Sequence, residues 1–199
     1  MKTICLGFAA ALLLCAPAAA QTEDQCAYDI GAMMQLDYET FDSTPEQGWR
    51  TIGNTPGCEA AAADLIAGYR TEKIEDQLRG LMHHEAQLRA AAGQTEAALA
   101  LLTDVRSMWS TPEMQAYRDA EIAFLSGDLP ALQEARERLA NVPAPEGFDE
   151  SIARFRARYP TLQPPTWPMN LDVVDGFINC FGRRYSEAYA ASCRVRSGN

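Results

Sequence analysis

Several kinds of residue are scarce in this chain of 199 residues. Histidine occurs twice, and beyond Lys2 the only lysine is Lys73, so the basic side chains are almost all arginine. The 27 acidic residues outnumber the 17 basic ones and give a net charge of −10. This balance argues against a nucleic-acid partner, because the phosphates would be repelled.

Sequence motifs that carry chemistry are also missing. The chain has no G-x-S-x-G, no P-loop, no dinucleotide-binding fingerprint and no H-E-x-x-H. No C-x-x-C pair and no cluster of cysteine with histidine occurs, which disfavours a zinc site or a redox dithiol. The sequence therefore predicts no cofactor and no metal, and gives no specific support for an enzyme.

Only the N-terminus carries a long apolar run. Lys2 supplies a positive start, an apolar stretch follows from Ile4 to Leu14, and small residues precede Gln21. This order is typical of a secretory signal peptide over residues 1–20 with cleavage between Ala20 and Gln21. The run is shorter than a bilayer crossing requires. We expect a periplasmic or secreted bacterial protein that has no membrane anchor after cleavage.

Two of the six cysteines fall within this leader, which leaves Cys26, Cys58, Cys180 and Cys193. An even number in an oxidising compartment predicts two disulfides. Four cysteines allow three pairings, and the short separations favour Cys26 with Cys58 and Cys180 with Cys193. Each bond should add on the order of 3 kcal/mol by restricting the unfolded chain.

Helical periodicity dominates from Pro45 to Val142, where apolar residues recur every three or four positions. Segments end at glycines, and Asp128 is placed to cap a helix with Pro130 in its first turn. Alternation typical of strands is nearly absent. The pattern predicts an all-α protein built of antiparallel helical hairpins.

An internal repeat lies inside this region, since Gly93 and Gly127 are 34 positions apart. Other residues match at the same distance: Ala86 with Ala120, Leu88 with Ile122, and Ala97 with Ala131. The period and the order of helix, glycine and helix resemble tetratricopeptide (TPR) repeats over roughly residues 45–142. The alternative architecture is a generic antiparallel helix bundle.

The remaining sequence should complete a single helical domain over residues 21–199. A linker over 143–168 contains a short helix from Asp149 to Tyr159 and ends in a proline-rich strap, which Trp167 would pin to the helices. Residues 169–199 are expected to form a C-terminal helical hairpin. With a disulfide between Cys180 and Cys193, this hairpin would cap the TPR-like stack.

In TPR proteins, the first helix of each hairpin lines a concave face on which peptides or partner proteins dock. The positions that the resemblance implies are His83, Gln87, Met114, Tyr117, Glu121 and Phe124. Exposed Tyr, Phe and Met side chains together would suit binding. The alternative is that these are core residues at helical spacing.

Two polar groupings deserve comparison with catalytic or metal sites. His83-His84-Glu85 could supply metal ligands, but adjacent helical residues point about 100° apart, so both imidazoles cannot readily face one ion. His84 lies in an apolar stripe and should be half-buried and hydrogen-bonded. Asp172 and Asp175 are the only weak candidates for acid–base work, and charges near a helix start are usually solvated.

The sequence thus favours an exported, non-catalytic interaction module that presents a TPR-like groove to a peptide or protein. One alternative is an enzyme or accessory subunit with a pocket between the repeats and the C-terminal helices, using Asp172, Asp175 and a tyrosine. The other is a structural envelope protein without a specific ligand. A solenoid supplies surface and no chemistry by itself, which places the binding module first.

Overall fold

The computed structural model describes residues 25–73, 78–108 and 111–194. The predicted signal peptide and its cleavage site lie outside these residues. Within them the chain forms eleven helical segments and no strand. Two segments precede the predicted helical region: α1 (Ile30–Gln35) and a π-helical turn (Glu39–Ser43).

The remaining nine segments follow in chain order. They are α2 (Arg50–Gly53), α3 (Glu59–Lys73), α4 (Leu78–Ala91), α5 (Thr95–Met108), α6 (Pro112–Leu125), α7 (Leu129–Ala140), α8 (Phe148–Arg158), α9 (Leu171–Asn179) and α10 (Tyr185–Tyr189). Each helix from α2 to α6 packs on the next one along the chain. Helix α9 packs on α6 and α7, and α10 packs on α9 and α4.

The glycines of the internal repeat end α4 and α6 in the same way. Gly93 and Gly127 have positive φ angles of 79° and 71°, which glycine adopts without a Cβ clash. The N–H of Gln94 donates to the carbonyl of Arg89, and the N–H of Asp128 makes the matching bond to Ala123. The Asp128 side chain then accepts from the N–H of Ala131 and caps α7, as predicted.

Two groups of buried side chains form the core. The N-terminal core contains Phe41, Trp49, Ile52, Cys58, Ala62, Ala63, Leu65, Ile66, Tyr69, Leu81 and Leu88. The C-terminal core contains Ala90, Ala98, Ala116, Tyr117, Ala120, Ala123, Phe124, Leu132, Ala135, Leu139, Val173, Val174, Phe177, Tyr185 and Ala188. Helix α4 contributes to both, so it joins the two halves of the protein.

Both disulfides have the pairing that the short separations favoured. Cys26 is bonded to Cys58 in the N-terminal half, and Cys180 is bonded to Cys193 next to α9 and α10. Such bonds are typical of proteins that fold in an oxidising compartment outside the cytosol. Across the described ranges, every helix falls short of the length and apolar character that a bilayer crossing requires.

The proline-rich strap is held by Trp167, as predicted. Its indole N–H donates to the carbonyl of Val142 at 2.8 Å, and its ring contacts Phe148 edge-on with centroids 5.4 Å apart. These contacts hold the strap against the loop after α7 and the first residue of α8. The strap is therefore anchored next to α7 and α8.

Candidate functional site

Helix α4 directs its consecutive polar side chains to different parts of the molecule. Because neighbouring helical residues point about 100° apart, His83, His84 and Glu85 meet three separate sets of partners. His83 contacts Glu121 of α6, His84 contacts Asp42 of the π-helical turn, and Glu85 binds Arg70 and Arg89. The three residues therefore do not converge on one point.

Asp42 is a buried carboxylate that gathers donors from three segments. Its Oδ1 accepts from the indole Nε1 of Trp49 at 2.9 Å and lies 2.7 Å from Nδ1 of His84. Its Oδ2 accepts from the hydroxyl of Tyr38 at 2.9 Å. Arg50 donates to the backbone carbonyl of Asp42 and places its guanidinium 4.2 Å from the centroid of the Trp49 ring.

The ionised form of Asp42 is favoured by these neighbours. Burial alone would raise its pKa, but the hydrogen bond and charge of His84, with the hydrogen bonds from Trp49 and Tyr38, outweigh burial. The pKa of Asp42 is lowered to about 2. An ionised Asp42 accepts hydrogen bonds only, so Nδ1 of His84 is the nitrogen that carries a hydrogen. In neutral His84 the lone pair therefore resides on Nε2.

Glu121 is a fully buried carboxylate at the centre of a second cluster, at the junction of α4, α6 and α10. Its carboxylate lies 2.9 Å from Nε2 of His83 and accepts from Gln87 at 2.9 Å. It also accepts from the guanidinium of Arg118 at 2.7 Å and from the hydroxyl of Tyr185 at 2.9 Å. Glu121 thereby links three helices through one charged group.

Burial governs the charges in the Glu121 cluster. It lowers the pKa of His83 to about 4, although Glu121 favours the charged imidazole, so His83 is neutral at pH 7. Burial would raise the pKa of Glu121, but the charges of His83 and Arg118 and the hydrogen bonds from His83 and Gln87 lower it to about 2. At neutral pH the permanent charge of Arg118 is therefore the counter-ion of Glu121.

A cleft of about 430 Å³ opens between α2, α4 and α10. Its lining includes Trp49, Arg50, Gly53, Asn54, Glu59, His84, Gln87, Leu88, Ala91, Tyr185, Ser186 and Tyr189. The volume is within the usual range for sites that hold a small molecule or a side chain. The Asp42 cluster supports one wall through His84, and the Glu121 cluster lies behind Gln87 and Tyr185.

The predicted partner-binding face is largely buried. Tyr117 and Glu121 are 2% and 0% exposed, and His83 and Phe124 are also buried. The expectation that these four side chains form an exposed face is therefore wrong. The physical reason is that α9 and α10 close over α6, where Phe124 stacks on Phe177 with ring centroids 4.8 Å apart.

The other two predicted positions keep some exposure. Met114 and Gln87 are half-buried, and of the six residues only Gln87 lines the cleft. Tyr117 sits just behind it, because the Gln87 amide donates to the Tyr117 hydroxyl at 3.2 Å. The open surface thus lies beside the predicted face, on the side of α4 that meets α10.

The two candidate acids of α9 are held by arginines. Asp175 accepts from Nε of Arg136 at 2.8 Å, and Asp172 lies 3.4 Å from a guanidinium nitrogen of Arg194. Both line a cavity of about 380 Å³ beside Trp167, which shares no lining residue with the cleft of α4 and α10. Both carboxylates are thus engaged by guanidinium groups, Asp175 in a partly buried pair and Asp172 in an exposed one.

Sequence reasoning identified His84 as a hydrogen-bonded, half-buried residue, and the structure confirms this. It did not identify Asp42, Trp49 and Arg50 as residues that support or line the cleft. The one available signal was the position of His84 in an apolar stripe, which requires a polar partner elsewhere. Nothing in the sequence indicated that the partner is Asp42.

Comparison with known proteins gives no family assignment. No family model matches the chain, and neither a curated protein nor a solved structure is significantly similar to it. The two polar clusters and the cleft beside them are therefore the features from which function can be inferred.

Proposed function

We propose that the protein is an exported, non-catalytic binding module that receives a segment of a partner protein in the cleft between α4 and α10. We further propose that α3 to α7 form a short TPR-like stack of antiparallel hairpins. The matched backbone hydrogen bonds at Gly93 and Gly127 support this arrangement, as does the packing of each helix on the next. The predicted signal peptide and the two disulfides support export.

The observation that carries the proposal is the cleft itself. Its floor is apolar at Leu88 and Ala91, and aromatic and polar side chains surround it. Protein-binding sites combine apolar anchor pockets with a polar rim in this way. Both of its polar walls are preorganised by buried carboxylates, which lowers the entropic cost of ordering them on binding.

A photo-cross-linking experiment tests this assignment. We would replace Ser186, which lines the cleft and is half-buried, with a benzophenone-bearing residue and express the protein in a bacterial periplasm. Irradiation should capture one partner, to be identified by mass spectrometry. The same residue at Thr103, which is exposed on α5 and absent from the cleft lining, is the matched control.

A blocking variant makes the result specific to the cleft. Asn54 is an exposed lining residue, so Asn54→Trp should fill the entrance without disturbing the core. We expect it to abolish capture from position 186. Equal capture from positions 186 and 103, or capture that survives Asn54→Trp, would contradict the proposal. No capture at all would favour the structural role that needs no specific ligand.

The Asp42–His84 pair favours an enzyme as the second candidate. A carboxylate that fixes the tautomer of a histidine, and so leaves the other nitrogen as a base, recurs in hydrolytic sites. His84 lines the cleft, so it could deprotonate a water molecule there. Incubating the captured partner with wild type and His84→Gln distinguishes the two functions. Hydrolysis by wild type alone would indicate an enzyme, whereas an intact partner indicates a binding module.

A further inference from the structure

Two residues of α4 that line the cleft, His84 and Gln87, can each offer a hydrogen-bond acceptor. Because His84 donates from Nδ1 to Asp42, the neutral form of its ring offers the lone pair of Nε2. The NH2 group of Gln87 donates to both Glu121 and Tyr117, which leaves its carbonyl oxygen as an acceptor. Among the described residues, neither the Nε2 of His84 nor this oxygen has a partner.

Glu59 adds a negative charge to these acceptors. It is the first residue of α3, it lines the cleft, and it is half-buried. In the part of the chain that the structure describes, its carboxylate makes no hydrogen bond and no ion pair. It therefore differs from Glu85 and Glu121, whose carboxylates are bound by arginines.

Arg50 is the cation of the cleft lining, and its charge is already matched. It lies over the Trp49 ring, donates to the carbonyl of Asp42, and interacts electrostatically with the charge of that residue. The charges of Arg50 and Asp42 offset each other, so the negative charge of Glu59 is the one left uncompensated at the cleft. The net charge of the whole chain, −10, has the same sign.

We propose that the cleft binds the guanidinium or ammonium group of an arginine or lysine side chain in the partner segment. Such a group carries several donors and no acceptor, which complements His84, Gln87 and Glu59. The aliphatic stem of the side chain would lie on Leu88 and Ala91. This inference rests on the proposed function and specifies the chemistry of its ligand.

Three capped pentapeptides test the proposal against the disulfide-bonded protein. Each has two alanines on either side of a central residue, which is arginine, its neutral isostere citrulline, or glutamate. Isothermal titration calorimetry at low ionic strength should rank arginine first, with citrulline at least about tenfold weaker and glutamate weakest, because hydrogen bonds to charged groups are the stronger ones.

A pair of glutamate variants locates the effect. Glu59→Gln removes the charge at the cleft and should weaken binding of the arginine peptide about tenfold, the lower end expected for a charged hydrogen bond. Glu96→Gln is the matched control, because Glu96 is also an acidic residue in the first turn of a helix but is exposed and absent from the cleft lining. This variant should bind like wild type.

The outcomes separate this inference from the proposed function. Equal affinity for the arginine and citrulline peptides, or tighter binding of the glutamate peptide, overturns the cation site while a cleft that binds peptides stands. Equal weakening by Glu59→Gln and Glu96→Gln overturns it too, because attraction to the acidic protein as a whole would then explain binding. If no peptide binds, the cation site is wrong, and the proposed function fails with it only if cross-linking from position 186 also captures nothing.

Discussion

The two halves of the protein each contain a buried carboxylate paired with a histidine, and the two pairs are built differently. Glu121 has a permanent counter-charge in Arg118, and neither side chain is more than 1% exposed. Asp42 relies on the neutral donors Trp49 and Tyr38 together with His84, whose side chain is 26% exposed. One pair is sealed inside the protein, whereas the other reaches the cleft.

The difference follows from the geometry of α4. His83 and His84 are adjacent, so a single helix supplies one imidazole to each core and their rings stay 5.8 Å apart. A charge that is permanently buried needs a permanent partner, which Arg118 provides for Glu121. A charged group beside solvent does not need a permanent partner, and His84 has its Nε2 available for a ligand. We call Glu121 with His83 the sealed pair and Asp42 with His84 the open pair. The sealed pair should govern stability, and the open pair should govern binding.

Removing the Glu121 carboxylate is the largest perturbation we predict. Glu121→Ala leaves the charge of Arg118 buried without its counter-ion and should cost about 3–5 kcal/mol of unfolding free energy. Glu134→Ala is the matched control, because Glu134 also pairs with an arginine but its side chain is 75% exposed. The control should change stability by no more than about 0.5 kcal/mol. Urea unfolding measures both, and equal costs would contradict the distinction between buried and exposed pairs.

The disulfides allow a second comparison of the two halves. The Cys26–Cys58 bond closes a longer loop than the Cys180–Cys193 bond, with sequence separations of 32 and 13. Chain entropy predicts losses of about 3.7 and about 3.0 kcal/mol when each pair is replaced by serine. Urea unfolding of the two double variants measures these losses. A larger loss at the C-terminal bond would show that it stabilises α10 by more than chain entropy.

In the repeated part of the chain, sequence periodicity was sufficient to predict the helices and where they end. The ends of α4 and α6 could be predicted because Gly93 and Gly127 adopt the left-handed conformation that most residues avoid. The cap of α7 could also be predicted, because the Asp128 side chain binds a backbone N–H only three residues away. Disulfide pairing was favoured by short separations. At the helix ends, the decisive interaction joins residues that are near one another in the sequence.

The candidate site depends on contacts between residues that are far apart in the sequence, and such contacts cannot be predicted from periodicity. Asp42 and His84 are 42 residues apart, and Tyr185 reaches Glu121 across 64. The TPR resemblance placed Tyr117 and Phe124 on an open face because it could not show that α9 and α10 cover them. A chain segment outside the repeat decided which face of α4 is open.

The pH dependence of stability should distinguish the sealed histidine from the open one. Because burial lowers the pKa of His83 from 6.5 to about 4, the unfolded chain takes up this proton first as the pH falls. The contribution of His83 is therefore complete above pH 6.5 and is lost between pH 6.5 and about 4. We expect wild type to lose about 2 kcal/mol more than His83→Gln between pH 7 and pH 4.5.

The variant His83→Gln keeps a donor for Glu121 but does not titrate, so it isolates the proton of His83 from its hydrogen bond. Unfolding by urea at both pH values gives the comparison. A wild type and a variant with the same pH dependence would show that His83 is not held neutral by burial. The assignment of Arg118 as the only counter-ion of Glu121 at neutral pH would then be wrong.

The smallest effect on stability is expected at the open pair. His84→Ala removes one donor from Asp42, but Trp49 and Tyr38 still bind that carboxylate, and the remaining space opens to the cleft where water can enter. We expect a loss of about 1 kcal/mol in urea unfolding, less than for His83→Ala, which leaves a closed cavity in the core. If both variants lose the same free energy of unfolding, His84 contributes as much to the stability of the fold as His83 does. A small loss at His84 combined with weaker binding of the arginine peptide would instead show that the open pair supports the cleft more than the fold.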